Sequence, residues 1–218
     1  MYTNREEAGK LLAEKLLNYR NNKNAVIVTI PRGGVPIGYV IAKRLNLPLK
    51  IVLSKKIGHP FNKEYAIGAV TIESKILSDA ATEVSKEYIN DETERIRDLL
   101  KQRYNWYCGG KKLMNFKNKI VIIVDDGIAT GNTIISSIQL IELQKPSEII
   151  VALPVAPASA LQKIKELHAV SNTICLLVPR NFHAVGQFYE EFYQVDDKEV
   201  MQLLKKAEDE FILKNSNS

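Results

Sequence analysis

Asp125 and Asp126 stand side by side at the end of an apolar run, and Gly127, Ala129, Thr130, Gly131, Asn132 and Thr133 follow in the string VIIVDDGIATGNT. Glycines and small or hydroxyl-bearing residues leading straight into an apolar-periodic stretch from Ile134 describe an unobstructed helix N-terminus. Free backbone N–H groups and threonine hydroxyls there suit a phosphate monoester. Adjacent carboxylates beside an anion raise its energy unless they face hydrogen-bond donors. The vicinal hydroxyls of a ribose are such donors, and a sugar 5-phosphate carries diol and phosphate in the order that the acids and the loop present. The string contains neither the Gly-Lys-Ser/Thr of a Walker loop nor the glycine spacing of a dinucleotide fingerprint.

Such a turn works only if regular elements aim it. The run KIVIIV at 119–124 has no polar alternation, which is how a strand buried on both faces of a parallel sheet reads. AVIVTI at 25–30, IVLS at 51–54, IIVALPV at 149–155 and TICLLVP at 173–179 read the same way. Helical periodicity lies over 4–19, 35–45, 80–104, 132–143 and 158–167. Strand and helix therefore alternate, which predicts an α/β fold: a doubly wound, mainly parallel sheet of about five strands. In open sheets of this kind ligands bind at the carboxyl ends of the strands, where the two acids fall.

Two stretches break the alternation. Residues 54–77 are too long for a simple connection and contain Gly58, Pro60 and Gly68, so a mobile loop leading into a β-hairpin is expected. After Pro179 the aromatics Phe182, Phe188, Tyr189, Phe192 and Tyr193 crowd together, which reads as a small cap. The expected organisation is a core over 1–178, with the flexible loop at 54–78, and a C-terminal cap over 179–218. The final KNSNS is expected to fray.

The string from Val121 to Thr133 meets every position of the phosphoribosyl pyrophosphate signature and thereby resembles type I phosphoribosyltransferases. Two further stretches are similar to parts of that family. PRGGVP, after the first strand, resembles the loop that holds the pyrophosphate, where Arg32 supplies charge and Gly33 and Gly34 permit close backbone approach. A strained or cis non-proline peptide is implied near Arg32 and Gly33. SKK, with Lys55 and Lys56, resembles the base of the flexible catalytic loop. The segment holding Phe182, Phe188 and Tyr189 corresponds to the hood over the acceptor.

The resemblance implies transfer of a 5-phosphoribosyl group from 5-phosphoribosyl 1-pyrophosphate (PRPP) to a nitrogenous acceptor, a nucleobase in nucleotide salvage, with release of pyrophosphate. Asp125 and Asp126 would hold the ribose hydroxyls and residues 129–133 the 5-phosphate. Arg32 with Lys55 or Lys56 would steady the leaving group, and magnesium would ride mainly on PRPP oxygens. A homodimer is implied as well. In hypoxanthine-guanine-type members an aspartate that assists the purine stands where this chain has Ala129. Alanine cannot exchange a proton, and adenine-type members resemble this chain in having alanine, so the acceptor stays open.

Composition narrows the alternatives. The 218 residues are 45% hydrophobic and 25% charged, as in an ordinary globular protein. No apolar run is long enough to span a membrane, and no export segment is visible at MYTNREEAGK, so a cytoplasmic address is expected. A net charge of +5 fits nucleic acid or a polyanionic small ligand. No nucleic-acid-binding motif accompanies the basic residues, so a phosphorylated metabolite is preferred. Cys108 and Cys175 are isolated, and so are His59, His168 and His183, which gives no disulfide framework and no metal-ligand spacing. A non-catalytic protein that senses PRPP is the alternative to an enzyme.

Overall fold

The computed structural model describes residues 1–216. Asn4 has extended backbone and accepts the N–H groups of Glu6 and Glu7 on its side chain, which starts α1 (Arg5–Lys15). Strand β1 (Ala25–Thr29), buried at every position, leads through PRGG into α2 (Gly34–Leu45) and β2 (Leu49–Ile51). Then come β3 (Lys55–His59), β4 (Asn62–Val70), β5 (Lys75–Leu77) and the long α3 (Lys86–Cys108). The chain returns to the core with β6 (Ile120–Val124), α4 (Asn132–Glu142), β7 (Glu148–Val155), α5 (Ala158–Lys165) and β8 (Val170–Leu177). It ends in α6 (Asp197–Ser216).

The central sheet is five-stranded and parallel, in the order β2-β1-β6-β7-β8. Alternate residues of its strands feed two cores. Ile27, Ile122, Val124 and Ile150 pack with Leu12, Ile37 and Ile41 of α1 and α2. Val28, Val121, Ile123 and Val151 pack on the other face with Ile134, Ile138 and Leu161 of α4 and α5. Burial of apolar side chains on both faces explains why the strands lack polar alternation, and it confirms the doubly wound α/β class.

Residues 54–77 differ from the expected loop. The hairpin starts at once, at Lys55, and forms a three-stranded antiparallel sheet in the order β3-β4-β5. Ile57, Ile67 and Val70 bury against Ile89, Ile96 and Leu100 of α3, so the unit has its own apolar core. The outer half of β4 is exposed from Asn62 to Ala66, which hides its strand character from any apolar count. Strand β2 lies earlier than the expected 51–54. The expected fraying at KNSNS is not seen over Lys214–Ser216, which continue α6, and residues 217–218 lie outside those described. Beyond Pro179 the chain is irregular with bends, makes a short 3-10 turn at Val185–Phe188, and then forms α6 along α2, α3 and β2. No helix among the described residues is long and apolar enough to cross a membrane.

Candidate functional site

From β1 the chain steps to β2 on one side, and from β6 it steps through β7 to β8 on the other, so strand order reverses between β1 and β6. This is the crevice in which doubly wound sheets take ligands. The pairs Ala25↔Ile120 to Thr29↔Val124 end the two strands level, so PRGG and the Asp125 turn emerge side by side. They touch. A Cβ on Gly33 would stand 2.1 Å from Asp126 Oδ2, and one on Gly34 would stand 2.9 Å from the Val124 carbonyl oxygen. Glycine at both positions is a packing requirement of this contact.

The Asp125 side chain turns back, its Oδ1 accepting the N–H of Asp126 at 2.9 Å. Asp126 meets a partner from the far end of the sequence: Arg5 Nε donates to its Oδ2 at 2.9 Å, and Nη2 stands 2.8 Å from the same oxygen as an ion pair. The Arg5 side chain is only 7% exposed; its Nη1 donates to the Tyr193 carbonyl at 2.8 Å and its guanidinium lies 4.0 Å from the Phe192 ring centre. One oxygen of each carboxylate is thus committed within the protein. The other, Oδ2 of Asp125 and Oδ1 of Asp126, has no partner among the described residues and is reachable from solvent. Burial, and then the charge of Asp126, push the Asp125 carboxyl well above the usual carboxylate range. Burial also raises Asp126, with Arg5 pulling it back down.

Beyond the acids, Gly127 has φ +143, and a Cβ there would meet Val185 and Val155 side chains at 2.7 and 2.8 Å. Ala129, Thr130, Asn132 and Thr133 are exposed around the start of α4, with Gly131 left-handed at its N-cap. Helix α2 begins at Gly34 beside the same crevice, so two helix N-termini serve one shelf and each favours an anion. The peptide between Pro31 and Arg32 is cis, at the Arg32 end of the expected stretch. Arg32 Nη1 stands 4.0 Å from Asp197, the first residue of α6, which also accepts from Arg103 and from the Tyr107 hydroxyl. These bonds, with the Arg32 charge, hold the Asp197 carboxyl below the usual range.

The two lysines stand apart from the acids. Ser54 Oγ lies 3.0 Å from Ser137 Oγ of α4, which hangs the hairpin beside the helix that follows the Asp125 turn. Lys56 reaches Glu64 along the hairpin at 2.6 Å, while the Lys55 charge is felt by Glu92 of α3. Neither contacts the acids. Phe182 and Phe188 form a half-buried tilted pair with centres 5.5 Å apart. Tyr189 is buried beneath the acids, where its hydroxyl donates to the Asp126 carbonyl at 2.6 Å and its ring packs between Tyr2 and Phe192. A cavity of about 420 Å³ lies elsewhere, between β2, α3 and α6, and includes none of residues 125–133.

Arg5 is the residue that sequence reasoning does not reach. Its signal is nevertheless present: a cation in the first turn of a helix opposes the macrodipole, so something outside the helix must hold it. Asp197 gives no such signal, since an acid in a first turn needs no partner.

The chain matches the family profile described as "Phosphoribosyl transferase domain" over residues 2–191. It is 32% identical over 216 residues to the Mycobacterium tuberculosis protein named "Putative phosphoribosyl transferase MT0597" (strain CDC 1551 / Oshkosh), covering 97% of this chain and 48% of that protein. The chain therefore spans about half the length of the curated relatives it matches. The crystal structure of TT1426 from Thermus thermophilus is similar with TM-score 0.82 and 34% identity, over 94% of this chain and 98% of that one. AQ2163 from Aquifex aeolicus shares the fold, with TM-score 0.50 and 16% identity over 80% of this chain and 74% of that one. Together with the paired acids, the glycine-packed loop and the two helix N-termini at the switch point, the profile match shows that this chain belongs to the phosphoribosyl transferase domain family.

Proposed function

We propose that the chain is a pentosyltransferase that takes the 5-phosphoribosyl group from PRPP to a nitrogenous acceptor of the nucleobase type, releasing pyrophosphate. The observation that carries this reading is the contact between PRGG and the Asp125 turn. It supports one continuous shelf on which an anion at α2, a diol at the acids and an anion at α4 would follow one another as they do in PRPP. Ring nitrogen would displace pyrophosphate at C1 through a transition state of oxocarbenium character, so the protein's work is positional and electrostatic. Asp125 Oδ2 and Asp126 Oδ1 would accept the two ribose hydroxyls. Residues 129–133 would hold the 5-phosphate, and Arg32 the pyrophosphate.

Lys55 or Lys56 would join the pyrophosphate once the hairpin moves, since Lys56 is paired only with exposed Glu64, an interaction worth little in water. Phe182 and Phe188 would border the acceptor, and Tyr189 would support the acids from below. Magnesium would be carried mainly by PRPP oxygens and water, the negative charge of Asp125 and Asp126 at the shelf would favour a cation there, and the ion would offset charge on the leaving group. Pyrophosphate release from PRPP with magnesium, across a panel of nucleobases, tests the proposal. Release with one acceptor and not with others is expected. Tight PRPP binding without turnover on any acceptor would contradict it and favour a sensor.

A further inference from the structure

Arg5 commits all three of its guanidinium nitrogens to two distant segments. Nε donates to one oxygen of Asp126 and Nη2 pairs with the same oxygen, while Nη1 donates to the Tyr193 carbonyl, with the Phe192 ring closing the face of the group. The segment that carries Arg5 is itself tied down. Tyr2 N–H donates to the Phe188 carbonyl at 2.8 Å, the Glu190 and Glu191 N–H groups donate to the Tyr2 and Thr3 carbonyls at 2.8 and 2.9 Å, and the Tyr2 hydroxyl donates to the Pro154 carbonyl at 2.8 Å. The strap therefore fixes where the guanidinium stands. The Gly33 backbone lies close against the same carboxylate, since a Cβ there would stand 2.1 Å from Oδ2 and 2.9 Å from Oδ1.

We infer that Arg5 is a positioning residue for the ribose of the donor: by occupying Oδ2 of Asp126 it leaves Oδ1 as the reading oxygen, beside the open Oδ2 of Asp125. Two carboxylates that could offer four oxygens then offer two, one for each hydroxyl of a vicinal diol. A carboxylate free to rotate would lose this match. The fork geometry matters, because an ammonium can reach the same oxygen but cannot also span to Tyr193. Arg5 touches no ligand in this scheme; its effect passes through Asp126. The inference rests on the donor reading proposed above.

The experiment compares two probes on the full chain by calorimetry with magnesium: ribose 5-phosphate, which has the diol, and inorganic pyrophosphate, which lacks it. In Arg5→Met we expect ribose 5-phosphate to weaken about ten-fold or more, in line with losing charge-assisted hydrogen bonds behind the reading group. Pyrophosphate affinity should stay within about two-fold. Arg5→Lys should recover part of the ribose 5-phosphate loss, and it also covers the case in which Arg5→Met folds poorly. Unchanged ribose 5-phosphate affinity in both variants would overturn the inference. So would an equal loss of both probes in Arg5→Lys, which marks a general structural role. Failure of the wild-type chain to bind ribose 5-phosphate at all would instead bring down the donor reading, and this inference with it.

Discussion

Burial and the neighbouring Asp126 charge both push Asp125 towards its protonated form, so the ligand-free protein holds an acid that its surroundings do not favour ionised. A carboxyl raised in the folded state stabilises the fold fully below its unfolded pKa of about 3.9, and that contribution is lost as pH rises through the folded value. Asparagine cannot ionise and keeps the oxygen that accepts the Asp126 N–H. We therefore expect Asp125→Asn to stabilise the ligand-free protein at neutral pH by about 1 kcal/mol, a gain in melting temperature of about 2–4 °C. The gain should shrink as pH falls and the wild-type acid takes up its proton. Melting curves from about pH 4 to 8 check this, and a variant less stable than wild type at pH 7 would contradict it. Arg5 belongs to the same scale and shows what a local reading misses: its partner is 121 positions away. VIIVDDGIATGNT is legible because all its parts are contiguous, whereas a pair joined only by the fold leaves at most an ill-placed charge in a helix.

The elements deliver these residues through close approaches that a single methyl group would test. A Cβ on Gly38 of α2 would stand 2.0 Å from the Thr29 methyl carbon of β1, away from the acids, whereas one on Gly33 would strike Asp126. We expect Gly38→Ala to cost about 1–3 kcal/mol of stability by overpacking while leaving PRPP affinity unchanged. Gly33→Ala should abolish PRPP binding with native circular dichroism retained. Denaturant titration and calorimetry on the two variants separate the outcomes; equal binding losses would contradict the division. Helix α6 acts on the site differently, because Asp197 at its start lies 4.0 Å from Arg32. Removing that carboxylate in Asp197→Asn should tighten inorganic pyrophosphate about two- to five-fold at low salt, and less at high salt. Weaker binding would show that Asp197 orients Arg32. The sequence conceals α6 because charged residues are spread along it and only Val200 and Ala207 are buried.

Across the whole molecule, the sheet and the β3-β5 unit have separate apolar cores, so the sequence reveals the first and obscures the second. Uninterrupted β-branched runs announce strands buried on both faces. A sheet covered on one side, with half of its longest strand in solvent, does not. The hairpin is fastened to α3 where the Tyr88 hydroxyl donates to the Gly58 carbonyl at 2.7 Å. Tyr88→Phe should remove about 1 kcal/mol. It should speed amide exchange in β3 and β4 without changing exchange in β1 or β6, which hydrogen–deuterium exchange would resolve; faster exchange throughout would contradict independent cores. The central claim spans all three scales, since one shelf at the β1–β6 switch point is held to bind PRPP through its paired acids. Titrating PRPP with magnesium into the wild-type chain and into Asp125→Asn/Asp126→Asn by calorimetry tests it most directly. Binding by the wild type and none by the double variant is the expected result, and equal affinity in the two proteins would contradict it.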